Sequence, residues 1–140
     1  MGKVTDTLYD TYITQETNCA ETMLRAGVLS RSDTMPQECC RMMSGFSGGV
    51  STENFCGAIL GGTAAISLLI NHGDEESFER SKEATQEFVE RCKQRFGTVL
   101  CHDIKTSWRT EELRCYAAVE IIAQLLEEVL QKYADGGTEL

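Results

Sequence analysis

The sequence predicts an all-α fold, a single-domain bundle of about five to six helices spanning residues 1–140 around a buried glycine/alanine-rich central helix. Three observations carry this. The chain has one proline, Pro36. No segment alternates apolar and polar residues as a half-buried strand would. Apolar residues recur instead at helical spacing almost throughout, and one run, Cys56 to Ile70, is apolar but for Thr63 and Ser67.

In chain order, the first helix spans about Thr5 to Ile13, with Leu8, Tyr9, Tyr12 and Ile13 on one side. A second starts near Thr17 or Asn18 and carries Cys19, Ala20, Met23 and Leu24 inward, with Gly27 as its C-terminal cap. A third follows Ser32 or Asp33, admits Pro36 in its first turn, and carries Cys39, Cys40, Met42 and Met43. The loop Ser44 to Val50 is glycine-rich and leads into the central helix, for which Ser51 or Thr52 is the expected N-cap. That helix reaches about Asn71, with Gly73 beyond it. The next, about Glu76 to Phe96, is amphipathic through Phe78, Ala84, Phe88, Cys92 and Phe96, and Gly97 ends it. Thr98 to Trp108 reads as irregular or a single turn. The last helix runs from about Thr110 to Tyr133 on Leu113, Ala117, Ile121, Leu125 and Val129, and the residues from Asp135 read as a frayed end.

Gly57, Gly61 and Gly62 each weaken a helix by roughly 1 kcal/mol relative to alanine. Gly57, Gly61 and Ala65 recur every fourth residue, as do Ala58 and Gly62. Such a stripe lets a neighbouring helix come close, which is sufficient reason for the glycines.

Charge excludes some functions. A net charge of -9 leaves no basic face for nucleic-acid phosphates and disfavours an anionic membrane surface. No membrane insertion is expected, because the longest apolar run is shorter than the roughly 18 residues a spanning helix needs. The N-terminus has no apolar signal-peptide core, so the expected location is cytoplasmic. In a reducing compartment seven cysteines do not read as a disulfide framework.

Cys56, four or five residues past the expected N-cap, sits where the helix dipole and free amides favour a thiolate; as a small apolar residue it equally suits a buried helix. Gly48 and Gly49 of the loop, with Gly57, offer close backbone approach to a cofactor. Cys19, Cys101 and Cys115 are each acceptable core thiols, and no CxxC pair is present, so any joint site must be assembled in three dimensions. Cys39 and Cys40 are adjacent and face different directions on a helix. Cys92 falls on an apolar face. His72 reads as a helix C-terminal cap, and His102 as an exposed residue or a thiolate partner. There is neither a CxxCH haem motif nor a P-loop.

Taken together, these residues resemble the C_GCAxxG_C_C family of redox-active proteins. The carriers are Asn18-Cys19-Ala20-Glu21, the run Gly45-Phe46-Ser47-Gly48-Gly49, Cys56-Gly57-Ala58-Ile59-Leu60-Gly61, Phe96-Gly97 with Cys101, and Cys115. The resemblance covers nearly the whole chain. Many members have a longer glycine run in the loop. The resemblance implies four key cysteines, Cys19, Cys56, Cys101 and Cys115, and leaves Cys39, Cys40 and Cys92 outside the pattern. A related domain in the split-Soret cytochromes is associated with an iron–sulfur cluster, which extends to this chain the implication of iron ligation.

The reading adopted is a cysteine-based redox centre, with Cys56 and Cys19 as the reactive pair and all four cysteines as candidate metal ligands. An iron–sulfur cluster and a metal-free thiol/disulfide couple both remain open, with zinc the lesser metal alternative. The competing reading is a non-catalytic ligand- or protein-binding bundle whose cysteines fill the core or hold structural zinc. No redox partner is identified, and the small-residue stripe and Met42-Met43 suit a homodimer as well as a core.

Overall fold

The computed structural model describes residues 2–135 and Leu140. The expected fray from Asp135 lies, for residues 136–139, outside the described residues. The architecture is all-α and single-domain: α1 (Cys19–Leu29), α2 (Gln37–Met42), α3 (Gly57–Ile70), α4 (Glu75–Phe96), α5 (Cys101–Trp108) and α6 (Tyr116–Tyr133). They are preceded by a 3-10 turn, Val4–Thr7, and a π-turn, Asp10–Thr14, and α2 is followed by two more short turns, Met43–Phe46 and Gly49–Glu53. The helical segments therefore exceed the expected five or six. Among the described residues no helix is long and apolar enough to cross a membrane.

Local chemistry sets the helix ends. Asn18 accepts the Glu21 amide at 2.8 Å and starts α1. Asp74 does the same for α4 through the Ser77 amide at 2.7 Å. Acidic Glu75 and Glu76 open α4 and basic Lys93 and Arg95 close it, matching the helix dipole. Gly97 ends it at φ 74°, where a side chain would be strained.

α3 is the central element and packs on α1, α4 and α6. Its Ile59 and Ile66 meet Met23 of α1, Phe88 of α4 and Ile122, Leu126 and Leu130 of α6 in one core, which the N-terminal Val4 and Leu8 complete. A smaller cluster of Ala20, Leu24, Val28, Met43 and Ala65 lies on the side of α1 toward α2. The glycines make these contacts geometrically feasible. A Cβ on Gly61 would overlap the Ala20 carbonyl oxygen, and one on Gly62 would meet the Phe88 ring at 2.6 Å.

Three expected boundaries are corrected. Gly27 does not cap α1, which continues to Leu29; Gly27 is a contact glycine whose Cβ would stand 2.7 Å from that of Ala65. Of Thr98 to Trp108, expected to be irregular or a single turn, Cys101–Trp108 forms the helix α5. The last helix starts at Tyr116 rather than Thr110. Residues 110–115 form a turn in which the Thr110 amide reaches the Arg114 carbonyl at 2.9 Å and Arg114 adopts φ 52°. Of the Met42-Met43 pair, Met43 is buried in the core and Met42 is exposed.

One ion pair fastens the N-terminus to the bundle. Arg31, 4% exposed, pairs with Glu127 at 2.7 Å and also donates to the Gly2 carbonyl and Ser30 Oγ. Glu127 in turn accepts the Val4 amide at 2.8 Å. Burial acts to raise the Glu127 carboxyl, but the Arg31 and Val4 hydrogen bonds outweigh it and hold the group below its ordinary range.

Gly61→Ala is expected to destabilise the fold by about 3 kcal/mol, since the obstructing atom is backbone and cannot rotate away. Gly45→Ala, with open space around the added carbon, is expected to stay within about 0.5 kcal/mol; urea titrations followed by circular dichroism compare them. Glu127→Ala leaves Arg31 buried without its partner and is expected to cost about 3–5 kcal/mol. Because the Glu127 pKa is lowered by folding, its contribution is complete above the ordinary value of 4.5 and is lost as pH falls through the lower folded value. In Glu127→Gln the acid-side slope of stability against pH is therefore reduced.

Candidate functional site

The glycine-rich loop and the start of α3 form one unit. Gly48, Gly49, Val50 and Ser51 run consecutively at φ 61°, 64°, 59° and 56°, and Glu53 follows at 56°. A left-handed run of this kind costs roughly 1–2 kcal/mol at each non-glycine position. It is held because Gly49 packs on Asn54 and Cys101, where a Cβ would stand 2.7 Å from the Cys101 Cβ, and because the Asn54 amide bonds the Gly49 carbonyl at 2.9 Å. The chain then straightens and pairs with the segment after α4. Phe55 and Leu100 form an antiparallel bridge, the Cys56 amide donates to the Val99 carbonyl at 2.8 Å, and the Cys101 amide donates to the Asn54 carbonyl at 2.5 Å. This pairing sets Cys56 beside Cys101.

Cys19 opens α1, and its sulfur lies against Gly57, 2.8 Å from where a Cβ would be. The Gly48 amide points at the same sulfur. Cys115 immediately precedes α6, and its amide donates to the Tyr12 hydroxyl at 3.3 Å. Cys19, Cys56, Cys101 and Cys115 thus arrive from four segments and line a single cavity of about 420 Å³. Gly48 and Gly57 also line it, while Gly49 sits behind, against Cys101. All seven cysteines are free thiols. Cys39, Cys40 and Cys92 are not on the cavity wall; Cys92 is fully buried in the core near Cys56.

The expected placement of Cys56 is corrected. Ser51 and Thr52 do not cap α3, because the left-handed run removes them from its axis, and Cys56 itself is the N-cap residue. Its ionisation is corrected as well. Burial pushes the Cys56 thiol up to about 12; the Ile59 and Ala58 amides pull the other way, and the nearby sulfurs of Cys19 and Cys101 add to the rise. Amides at the helix start do act on Cys56, but loss of hydration dominates. Cys19 is raised by burial against the Gly48 amide. Cys101 is raised by burial and by Cys19 and Cys115, with Lys105 opposing.

Other groups at the cavity carry no cysteine signal. Tyr12 was legible only as a core residue of the first helix. It is 3% exposed, and burial raises its phenol to about 12. Arg114 lies over the Tyr12 ring at 3.9 Å to the centroid and donates to the Tyr12 carbonyl. Lys105 reaches Glu53 at 3.0 Å and joins α5 to the loop. Adjacency of Arg114 to Cys115 was the one available signal among these. His102 is exposed, 3.8 Å from Glu53, and does not line the cysteine cavity. His72 lies just past α3 with its amide donating to Ser77 Oγ at 2.9 Å. Among the described residues no three His, Cys, Asp or Glu side chains converge closely enough to hold one metal ion.

A sequence model of the family described as "putative redox-active protein (C_GCAxxG_C_C)" matches residues 17–129. The chain belongs to this family. No curated protein and no solved structure matches it.

In the reduced, metal-free chain, Cys56 is expected to react with iodoacetamide at pH 8 at least about tenfold more slowly than half-buried Cys39, because only the thiolate attacks. Its rate should keep rising beyond pH 10. Mass mapping of timed reactions reads both; a Cys56 rate that levels off near pH 7 would contradict the dominance of burial.

Proposed function

We propose that this member of the C_GCAxxG_C_C family is a redox protein whose centre is an iron–sulfur cluster held by Cys19, Cys56, Cys101 and Cys115. The observation that carries this reading is the sorting of the cysteines: these four share one cavity wall and the other three do not. The donor set fits such a group. It is entirely thiol, as cluster ligands commonly are, and its four members line one cavity.

A cluster bound there would supply one-electron transfer. The chain's own contributions follow from its contacts. The Gly48 amide is placed to donate to the Cys19 sulfur, and the Ala58 and Ile59 amides to that of Cys56. Hydrogen bonds to ligand sulfurs and burial are the levers by which a protein sets a cluster's potential. Ile104, Ala118, Val119 and Ile122 supply an apolar wall that limits water at the sulfurs.

A metal-free thiol/disulfide couple is the alternative chemistry of the same cysteines. It asks for a thiolate near neutral pH, and burial keeps Cys19, Cys56 and Cys101 protonated there. The cluster reading needs no such thiolate in the free chain, because a bound cation stabilises the deprotonated ligand.

Anaerobic reconstitution with iron and sulfide is expected to give a brown protein with iron and acid-labile sulfide in nearly equal amounts. Serine at Cys19, Cys56, Cys101 or Cys115 is expected to reduce both by at least about half, and serine at Cys39, Cys40 or Cys92 to leave both unchanged. A colourless product, or loss of iron in the second group as readily as in the first, overturns the reading.

A further inference from the structure

The charged side chains on the cysteine cavity are Lys105, Arg109 and Arg114 against Glu53 alone, in a chain of net charge -9. Lys105 is committed to Glu53. Arg114 is half-buried and bonds a neutral carbonyl and an aromatic face. Arg109 follows the last turn of α5 at the rim. Among the described residues neither arginine has a carboxylate partner. Beside Arg114, the buried Tyr12 hydroxyl accepts the Cys115 amide, and its own proton meets no acceptor among the described residues. Arg114 and the Tyr12 hydroxyl are both hydrogen-bonded, but Arg114 and Arg109 have no counter-charge among the described residues and the Tyr12 proton is free to donate, which leaves the cavity wall complementary to an anion.

We propose that the cavity binds a small carboxylate or oxyanion beside the cysteines, with Arg109 and Arg114 taking its charge and the Tyr12 hydroxyl donating to it. This rests on the cavity being the redox centre and names the class of substrate that centre meets. Planar guanidinium forks suit such anions by two parallel hydrogen bonds. The cavity's 420 Å³ falls within the roughly 300–1,000 Å³ typical of small-ligand sites.

The test uses iodoacetate, itself a small carboxylate, beside neutral iodoacetamide on the reduced, metal-free chain. Both reagents attack only the thiolate, so the ratio of their rates at one cysteine cancels its ionisation and reports how its surroundings treat an anion. The reference is Cys39, on α2 and away from the cavity. The ratio at Cys101 and Cys115 is expected to exceed that at Cys39 by about three- to tenfold at low salt and to shrink as salt screens the cations. Arg109→Gln, at an exposed position, is expected to bring it most of the way to the Cys39 value, and Arg114→Gln to do the same. Equal ratios in the parent chain, or ratios unchanged in both variants, overturn the proposal.

Iron content after anaerobic reconstitution, measured on the same proteins, separates this from the cluster reading. Retained iron with a collapsed ratio supports an anion site distinct from the cluster ligands. Lost iron with an unchanged ratio overturns it, assigning the arginines to the charge of the ligands. A raised ratio in a parent chain that takes up no iron supports the anion site and removes the cluster.

Discussion

The structure depends on the approach of α1 to α3 across a face of glycine and alanine. Gly61 leaves room for the Ala20 carbonyl, and Gly57, one turn earlier on the same stripe, leaves room for the Cys19 sulfur. These are consecutive contacts of one interface. The spacing that lets the helices pack also delivers Cys19 to the start of α3, where Cys56 stands. Packing and chemistry are therefore not alternative explanations of the glycines. The penalty of roughly 1 kcal/mol per helical glycine is offset by burial around Ile59, Ile66, Phe88 and Met23, and the juxtaposition of sulfurs follows from the same geometry.

The second half of the site depends on a different device. α5 begins at Cys101, and its approach to Cys56 is fixed by backbone pairing of residues 54–56 with 99–101. The left-handed run from Gly48 to Ser51 makes that pairing feasible, since it turns the chain sharply enough for Gly49 to rest on Cys101. Val50 is β-branched and adopts φ 59°, a conformation such residues rarely hold. Its surroundings impose it from both ends, which is how strain persists at functional sites.

The helices were legible in the sequence because their apolar periodicity and end signals are local. Asn18 and Gly97 act within a few residues of themselves and were readable as boundaries. The misread boundaries share one cause. Gly27, Ser51, Thr52 and Thr110 all carry residue types that suit helix ends, and in each case a distant contact or a left-handed turn decided otherwise. The C_GCAxxG_C_C pattern grouped, before any geometry was known, the four cysteines that line one cavity, because family spacing records a three-dimensional outcome. Tyr12 and Arg109 had no such record. An aromatic residue on an apolar face and an arginine near a helix end look alike whether or not a cavity opens beside them.

The ionisation of Cys56 shows how far a local rule carries. A helix start supplies amides that favour a thiolate, and the Ala58 and Ile59 amides do act on this sulfur. Position along a helix says nothing about water, however, and Cys56 is buried. Burial removes more stabilisation from the charged form than those amides return, and the neighbouring sulfurs act in the same direction as burial. Amides in such a place orient a ligand without activating a free nucleophile. Burial holds Cys19, Cys56 and Cys101 above the ordinary thiol value in one cavity, so none of the three is an activated thiolate in the free chain. The sorting of the cysteines, four on one cavity wall and three elsewhere, therefore carries the proposed centre further than the reactivity of any one of them.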